Sequence, residues 1–198
     1  MKLYIIPGAC SLAVNIALRE AGIPFEIARV DLQIGMADDG QDFRKVNPKG
    51  YVPALRLENG QVLTETVAVL EYVADRNPTV KLAPPAGTME RYRLMEWLSF
   101  INSEIHKGFS PLFSEPATNE VKLFARNHLL KRLDYLQAVM SDKYLMGDQF
   151  TIADAYLFTV LGWGDEVGLG MGRWPRLRQY RVALATRLHV KAALESEG

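Results

Sequence analysis

The sequence predicts a two-part chain, a small mixed α/β domain over residues 1–81 followed by an all-α helical bundle over residues 88–198. Three observations carry that prediction. Short β-rich runs alternate with helical patterns through the first part. From Met89 onward nearly every segment repeats with helical period. Between them, NPTVKLAPPAGT gathers Pro78, Pro84, Pro85 and Gly87, residues that punctuate regular elements, so residues 82–87 read as a linker.

LYII is a short apolar run that suits a buried strand. SLAVNIALREAG places Leu12, Ile16 and Ala17 on one helical stripe and ends at Gly22. FEIARVD alternates as a strand, and a β-α-β order gives parallel pairing. A loop with one irregular helical segment follows. VPALRLE alternates again, and Asn59-Gly60 separates it from VLTE, a hairpin signal. TETVAVLEYVADRNP reads as a helix with Thr64 as its N-cap and Pro78 beyond its end. In the second part, Leu94, Leu98, Ile101 and Ile105 form one stripe, and Gly108 and Pro111 are expected to break that helix. NEVKLFARNHLLKRLDYLQAVM is a long amphipathic helix. Thr151 and Asp154 form a capping pair before AYLFTVLGW, and Pro175 opens a last helix. The whole is a helical bundle.

Composition narrows the function classes. The chain has 198 residues, with 23 Lys plus Arg balancing 23 Asp plus Glu. Zero net charge argues against a nucleic-acid binder and against a polybasic membrane anchor. The apolar run of MKLYII stops at Pro7, too short for a secretory signal, and AYLFTVLGW is far short of a membrane span. Cys10 is the one cysteine, so no disulfide forms within the chain. These features read as a soluble cytoplasmic protein.

Cys10 lies in PGACS, where the first strand hands over to the first helix. Unpaired peptide N–H groups and the helix dipole favour negative charge there. Thiols at such sites commonly fall from about 8.5 into the range of roughly 3.5–7.5. A cysteine packed as a small hydrophobe is the bland alternative. With no second cysteine nearby, the thiol must work with an external thiol. In GYVPAL, Pro53 opens a strand, and a cis Val52-Pro53 bond would turn the Val52 N–H and C=O toward an extended peptide. The helix start at Thr64–Thr66 can hold a carboxylate, and Glu65 can meet an amine, although an ordinary capped helix explains the same residues. Together these pieces describe a site for a short peptide with an amino-acid end and a thiol.

KLYIIPGACSLA, NPKGYVPAL, LTETVAVLEYVAD, EWLSFINSEIHKGFSPLF and GDQFTIADAYLFTVL resemble the signature stretches of beta-class bacterial glutathione S-transferases. The resemblance runs from Met1 past Leu161 and thins toward the C-terminus. It implies a thioredoxin-like N-terminal domain that binds glutathione and an all-helical C-terminal domain. It also implies that Cys10 lies against the glutathione sulfur, as a hydrogen-bonding thiol or as the nucleophile of disulfide exchange. Both roles stay open. Val52, with Pro53 beside it, would pair with the cysteinyl unit, and Glu65 and Thr66 would hold the γ-glutamyl end. Ser99, Ser103, Glu104 and His106 would help complete the site, with His106 and Lys107 assisting Cys10 in catalysis. On the residues alone, Ser99, Asn102, Ser103 and His106 share one helix face. Phe109, Phe113 and Trp163 are expected to line an apolar co-substrate site.

The resemblance implies a detoxifying transferase that conjugates glutathione to apolar electrophiles, with glutathione-dependent disulfide or peroxide reduction as a second activity. It implies a homodimer, glutathione as co-substrate without a separate cofactor, and no metal. A non-catalytic ligand carrier on the same fold is the alternative from another class. The chain departs from the family pattern at Gly35, where many members carry a lysine for the glycyl carboxylate, so either weaker glutathione binding or a substitute such as Lys49 is expected. Ile5 and Ser99 also depart, standing where an aromatic residue and an asparagine are common. The capping pair Thr151–Asp154 is assigned to folding and not to catalysis.

Overall fold

The computed structural model describes residues 1–141 and 143–198. The backbone divides into two units, Met1–Ala83 joined by Arg187–Gly198, and Pro84–Thr186. The last twelve or so residues were expected in the helical part, in which residues 88–198 stood together. They belong instead to the first unit.

The first unit runs β1 (Lys2–Ile5), α1 (Ser11–Glu20), β2 (Glu26–Asp31), β3 (Met36–Ala37), α2 (Phe43–Val46), β4 (Ala54–Arg56), β5 (Val62–Thr64) and α3 (Thr66–Arg76). The sheet order is β3-β2-β1-β4-β5. β1 pairs parallel with β2 (Leu3 opposite Ile27) and antiparallel with β4 (Leu3 opposite Leu55). The Asn59-Gly60 hairpin joins β4 to β5 with Leu55 opposite Leu63, and Gly60 supplies the φ of 84° that the turn demands. The two-residue β3 pairs Val30 with Ala37 and is too short to leave a periodic signal. One face of the sheet packs Tyr4, Ala28, Val30 and Ala54 with Phe43 of α2.

α1 is buried along every residue from Ser11 to Leu18, because α3 and the C-terminal helix Leu188–Glu197 both pack on it. Arg187 opens that last segment with two bonds to the Glu20 carboxylate, at 2.8 and 2.9 Å. At its far end, Glu197 accepts from the Gly8 N–H (2.9 Å) and the Asn15 amide (3.0 Å). Burial pushes the Glu197 carboxyl up, and those two donors oppose the rise. The anchors of this helix are polar and lie far away in the chain, so the sequence does not announce where it packs.

The second unit contains α4 (Met89–Phe100), a widened π-helical stretch (Ile101–His106), α5 (Lys107–Phe113), α6 (Asn119–Val139), α7 (Ile152–Glu166) and α8 (Pro175–Ala185). Thr88 and Thr118 cap α4 and α6 through the Arg91 and Val121 N–H groups. The stripe Leu94, Leu98, Ile101 and Ile105 is fully buried, as its spacing predicts. α7 is the central helix, buried along nearly all its length. Its capping box is present, and Asp154 also accepts from the Leu145 N–H (2.8 Å) and the Tyr180 hydroxyl (2.7 Å). Gly108 does not break the helix, and Pro111 sits inside α5. A Cβ on Gly108 would meet Leu129 Cδ2 at 2.8 Å, so this glycine permits a close approach of α5 to α6. No helix among the described residues is long and apolar enough to cross a membrane.

Candidate active site

In the first unit, Cys10 is the N-cap of α1, as its position after the first strand predicts. Its side chain is 8% exposed, enclosed but not sealed. The thiol donates to the Val52 carbonyl at 3.3 Å. The loop beneath it is tied down on both sides. Ser11 exchanges bonds with Ile6 N–H and C=O at 3.2 Å each, and Glu197 holds Gly8. The Val52-Pro53 peptide is cis, and both residues are buried. The Val52 N–H has no hydrogen-bond partner among the described residues. An orphaned backbone donor in a residue only 6% exposed is uncommon, and an extended peptide laid beside it would supply the missing acceptor.

The N-cap of α3 lies one residue later than expected. Thr64 ends β5, and Glu65 is the N-cap, held at φ 71° and ψ 119°. A non-glycine residue in that region costs roughly 1–3 kcal/mol, and such strain gathers at ligand-binding sites. No side chain caps the helix, so its first N–H groups remain open to an anion beside buried Thr66. The Glu65 carboxylate accepts from Lys49 Nζ (2.5 Å) and Tyr51 OH (2.7 Å). Glu65 holds the Lys49 cation and the Tyr51 phenol in their protonated forms, raising both pKa values through those bonds. Lys49 also donates to Thr64 Oγ1 at 3.1 Å, so its charge is committed to the end of the site that holds Glu65. Tyr51 was missed in the sequence, where it reads as one more β-strand aromatic.

Gly35 has φ 71°, a conformation that side chains rarely adopt, which accounts for glycine at this position. A Cβ there would stand 3.9 Å from Arg44 Nε. The Arg44 side chain therefore lies beside Gly35.

In the second unit, the π-helical stretch changes the face expected from α-helical spacing. The Lys107 N–H reaches back five residues to the Asn102 carbonyl. His106 Nδ1 lies 2.6 Å from the Tyr156 hydroxyl, which donates to Asn102 Oδ1 at 3.0 Å. Burial lowers the His106 pKa from 6.5 to about 4, with the Lys107 charge adding to the effect. At neutral pH the ring is uncharged, so it cannot favour a thiolate by its own cation. Ser103 donates to the Ser99 carbonyl (2.9 Å), and both residues are exposed. Glu104 is drawn away to α6, where it accepts from Arg132 at 2.5 Å and pairs with His128 at 3.2 Å. The structure therefore gathers His106, Asn102 and Tyr156 and leaves Glu104 in a separate ion pair. Nothing in the local spacing of Tyr156 distinguishes it from the apolar residues of α7.

Phe109, Phe113 and Trp163 do form one aromatic cluster, with ring centroids 5.7–6.3 Å apart. His106 joins it with its ring 4.9 Å from Trp163. Phe109 and Trp163 are buried, whereas Phe113 is 47% exposed and borders a concavity of 620 Å³ shared with Leu112, Leu123 and Arg126. Among the described residues no group of three or more metal-ligating side chains converges.

Comparison with known proteins follows the same division. Residues 8–76 match the family described as glutathione S-transferase, N-terminal domain, and residues 100–187 match glutathione S-transferase, C-terminal domain. The chain is 44% identical to glutathione S-transferase GstA of Escherichia coli O157:H7, covering 100% of this chain and 99% of that one. The bacterial glutathione transferase BphK, solved as a ternary complex, superposes with a TM-score of 0.97 at 48% identity, over 100% of both chains. A beta-class enzyme of Sphingomonas chungbukensis superposes at 0.96 and 48% identity, over 100% of this chain and 99% of its own. A sheet unit with an N-capping cysteine, followed by a helical unit of this kind, defines a glutathione transferase. Within that class, the chain belongs to the bacterial beta-class glutathione S-transferase family, and it is an enzyme.

Proposed function

We propose that the enzyme conjugates the sulfur of glutathione to small apolar electrophiles, with Cys10 beside the reacting sulfur. One observation carries the reading: the Cys10 thiol and the unpartnered Val52 N–H stand side by side at the start of α1. A tripeptide laid along Val52 and Pro53 takes that N–H through its cysteinyl unit, which brings its thiol to Cys10. Its γ-glutamyl carboxylate meets the uncapped start of α3 at Thr66, and its ammonium meets Glu65. Arg44 serves the glycyl carboxylate in place of a lysine at position 35. His106 and Lys107 assist at the sulfur, and Ser99 and Ser103 supply polar contacts, as the family resemblance implies. Glu104 stays in this set on the resemblance alone, while within its own unit its carboxylate pairs with Arg132 and His128. Phe113 offers the accessible apolar contact, backed by Phe109 and Trp163. The enzyme works in detoxification as a cytoplasmic homodimer.

The thiol form of Cys10 favours its role as a hydrogen-bonding partner of the glutathione sulfur over a role as a second thiolate, since adjacent thiolates repel. Replacing Cys10 by Ala tests this. Conjugation of an aromatic halide retained within about tenfold, the cost of one hydrogen bond, supports the reading. Loss of all conjugation together with disulfide reduction marks Cys10 as an obligatory nucleophile and refutes it.

A further inference from the structure

His106 has an edge that the functional reading leaves unassigned. Nδ1 faces the Tyr156 hydroxyl at 2.6 Å. Nε2 has no hydrogen-bond partner among the described residues, and it is not one of the fully buried unpartnered side-chain atoms. Which ring nitrogen carries the proton decides whether that edge donates or accepts.

The answer follows from counting protons. Tyr156 is fully buried, and its phenol has one proton. Asn102 Oδ1 accepts that proton at 3.0 Å. What the phenol oxygen can still offer His106 is a lone pair, so the short contact at Nδ1 requires an N–H on the histidine side. The ring cannot swing away to another partner, because Trp163 packs edge-on against it at 4.9 Å and Tyr156 at 5.9 Å. The backbone agrees: Asn102 and His106, four residues apart on the widened stretch Ile101–His106, both reach the one hydroxyl.

We propose that Tyr156, together with Asn102, is a positioning residue that fixes His106 as the Nδ1–H tautomer and so makes Nε2 a hydrogen-bond acceptor. The inference rests on reading the chain as a glutathione transferase in which His106 meets the ligand. An accepting Nε2 takes the S–H of a thiol and orients the sulfur lone pairs. It has no proton to give to a thiolate. The depressed basicity of the ring keeps it in this neutral, accepting form across the physiological range. His106 thus acts before ionisation of the glutathione thiol, and stabilisation of the thiolate falls to other groups.

Long-range proton–nitrogen correlation spectra of the uniformly 15N-labelled full chain at pH 7 read the tautomer directly. The chain has three histidines, so His128→Gln and His189→Gln identify the His106 signals by elimination. The expected result is a pyrrole-like Nδ1 and a pyridine-like Nε2. A proton on Nε2 in the wild-type chain overturns the proposal, whether or not the enzyme turns over glutathione. Tyr156→Phe removes the acceptor and should release the ring to the Nε2–H form, with kcat for conjugation down about tenfold, the worth of one hydrogen bond. An unchanged tautomer, or a changed tautomer with kcat unaffected, overturns the positioning role. Should Tyr156→Phe fail to fold, Asn102→Leu answers the same question, because it leaves the phenol proton free to turn to Nδ1 and must reverse the tautomer. A wild-type chain with no glutathione turnover refutes the functional reading and leaves the tautomer measurement standing on its own.

Discussion

Lowering the pH from 7 to 5 loads the helical unit selectively through His106. In the folded chain burial holds its pKa at about 4, while in the unfolded chain it returns to 6.5. Between those values the unfolded chain takes up a proton that the folded chain refuses, so stability rises with pH there and falls as the solution is acidified. The effect is absent above 6.5 and complete below about 4. At ~1.36 kcal/mol for each tenfold difference in proton affinity, the full span is worth roughly 3 kcal/mol. At pH 5 about 2 kcal/mol of it has been lost. Carboxylates also titrate in this range, so the quantity to measure is the difference between wild type and His106→Gln. All three tryptophans, Trp97, Trp163 and Trp174, lie in the second unit, so urea titrations followed by tryptophan fluorescence report on it. The wild-type curve should lose roughly 2 kcal/mol more than the variant between pH 7 and pH 5. Parallel losses in the two proteins would refute the claim that this ring is buried and neutral.

Four further outcomes follow from particular contacts. Gly108→Ala must push Leu129, whose Cδ2 would stand 2.8 Å from the new methyl group, and should cost about 1–3 kcal/mol in thermal or urea denaturation. Asp154→Ala strips Tyr180 OH and the Leu145 and Thr151 N–H groups of their shared acceptor, with a loss of about 3 kcal/mol or more and reduced yield of folded protein. Glu65→Gly should relieve the strain at φ 71° and hold stability or raise it by about 1 kcal/mol, while the KM for glutathione climbs. Arg44→Ala should raise the KM for glutathione several-fold and leave kcat unchanged, as expected for a group that contacts one end of the ligand; an unchanged KM would return the question of the missing lysine to other residues.

Much of this architecture is legible in the sequence because it rests on local rules. The Asn59-Gly60 hairpin, the Thr151–Asp154 box and the stripe from Leu94 to Ile105 each follow from a spacing that any chain of this kind must respect. Cys10 was placed by the same logic, since a strand-to-helix junction is visible in the pattern of apolar residues. The features that escaped are set by distant partners. Gly108 reads as a breaker until Leu129 is seen against it. Glu104 pairs with Arg132 and His128, more than twenty positions away, a contact that its own stretch of sequence does not show. The C-terminal helix is held by Arg187 to Glu20 and Glu197 to Gly8, pairings across nearly the whole chain that no window of sequence contains. Thr64 was preferred as the cap of α3 because threonine caps well, but the hairpin register keeps it in β5 and forces Glu65 into the strained position. Tyr156 carries no local mark at all, because the partners of its hydroxyl, His106 and Asn102, lie fifty or more positions away.

The central claim is that a thiol tripeptide lies along Val52 with its sulfur at Cys10. A crystal structure of the chain with glutathione measures this most directly. The account predicts the glutathione sulfur within hydrogen-bonding reach of Cys10 Sγ, the Val52 N–H bonded to the cysteinyl carbonyl, and the γ-glutamyl carboxylate on the N–H groups that open α3. Glutathione bound elsewhere, with the Val52 N–H still unpaired and Cys10 still donating to the Val52 carbonyl, would contradict it.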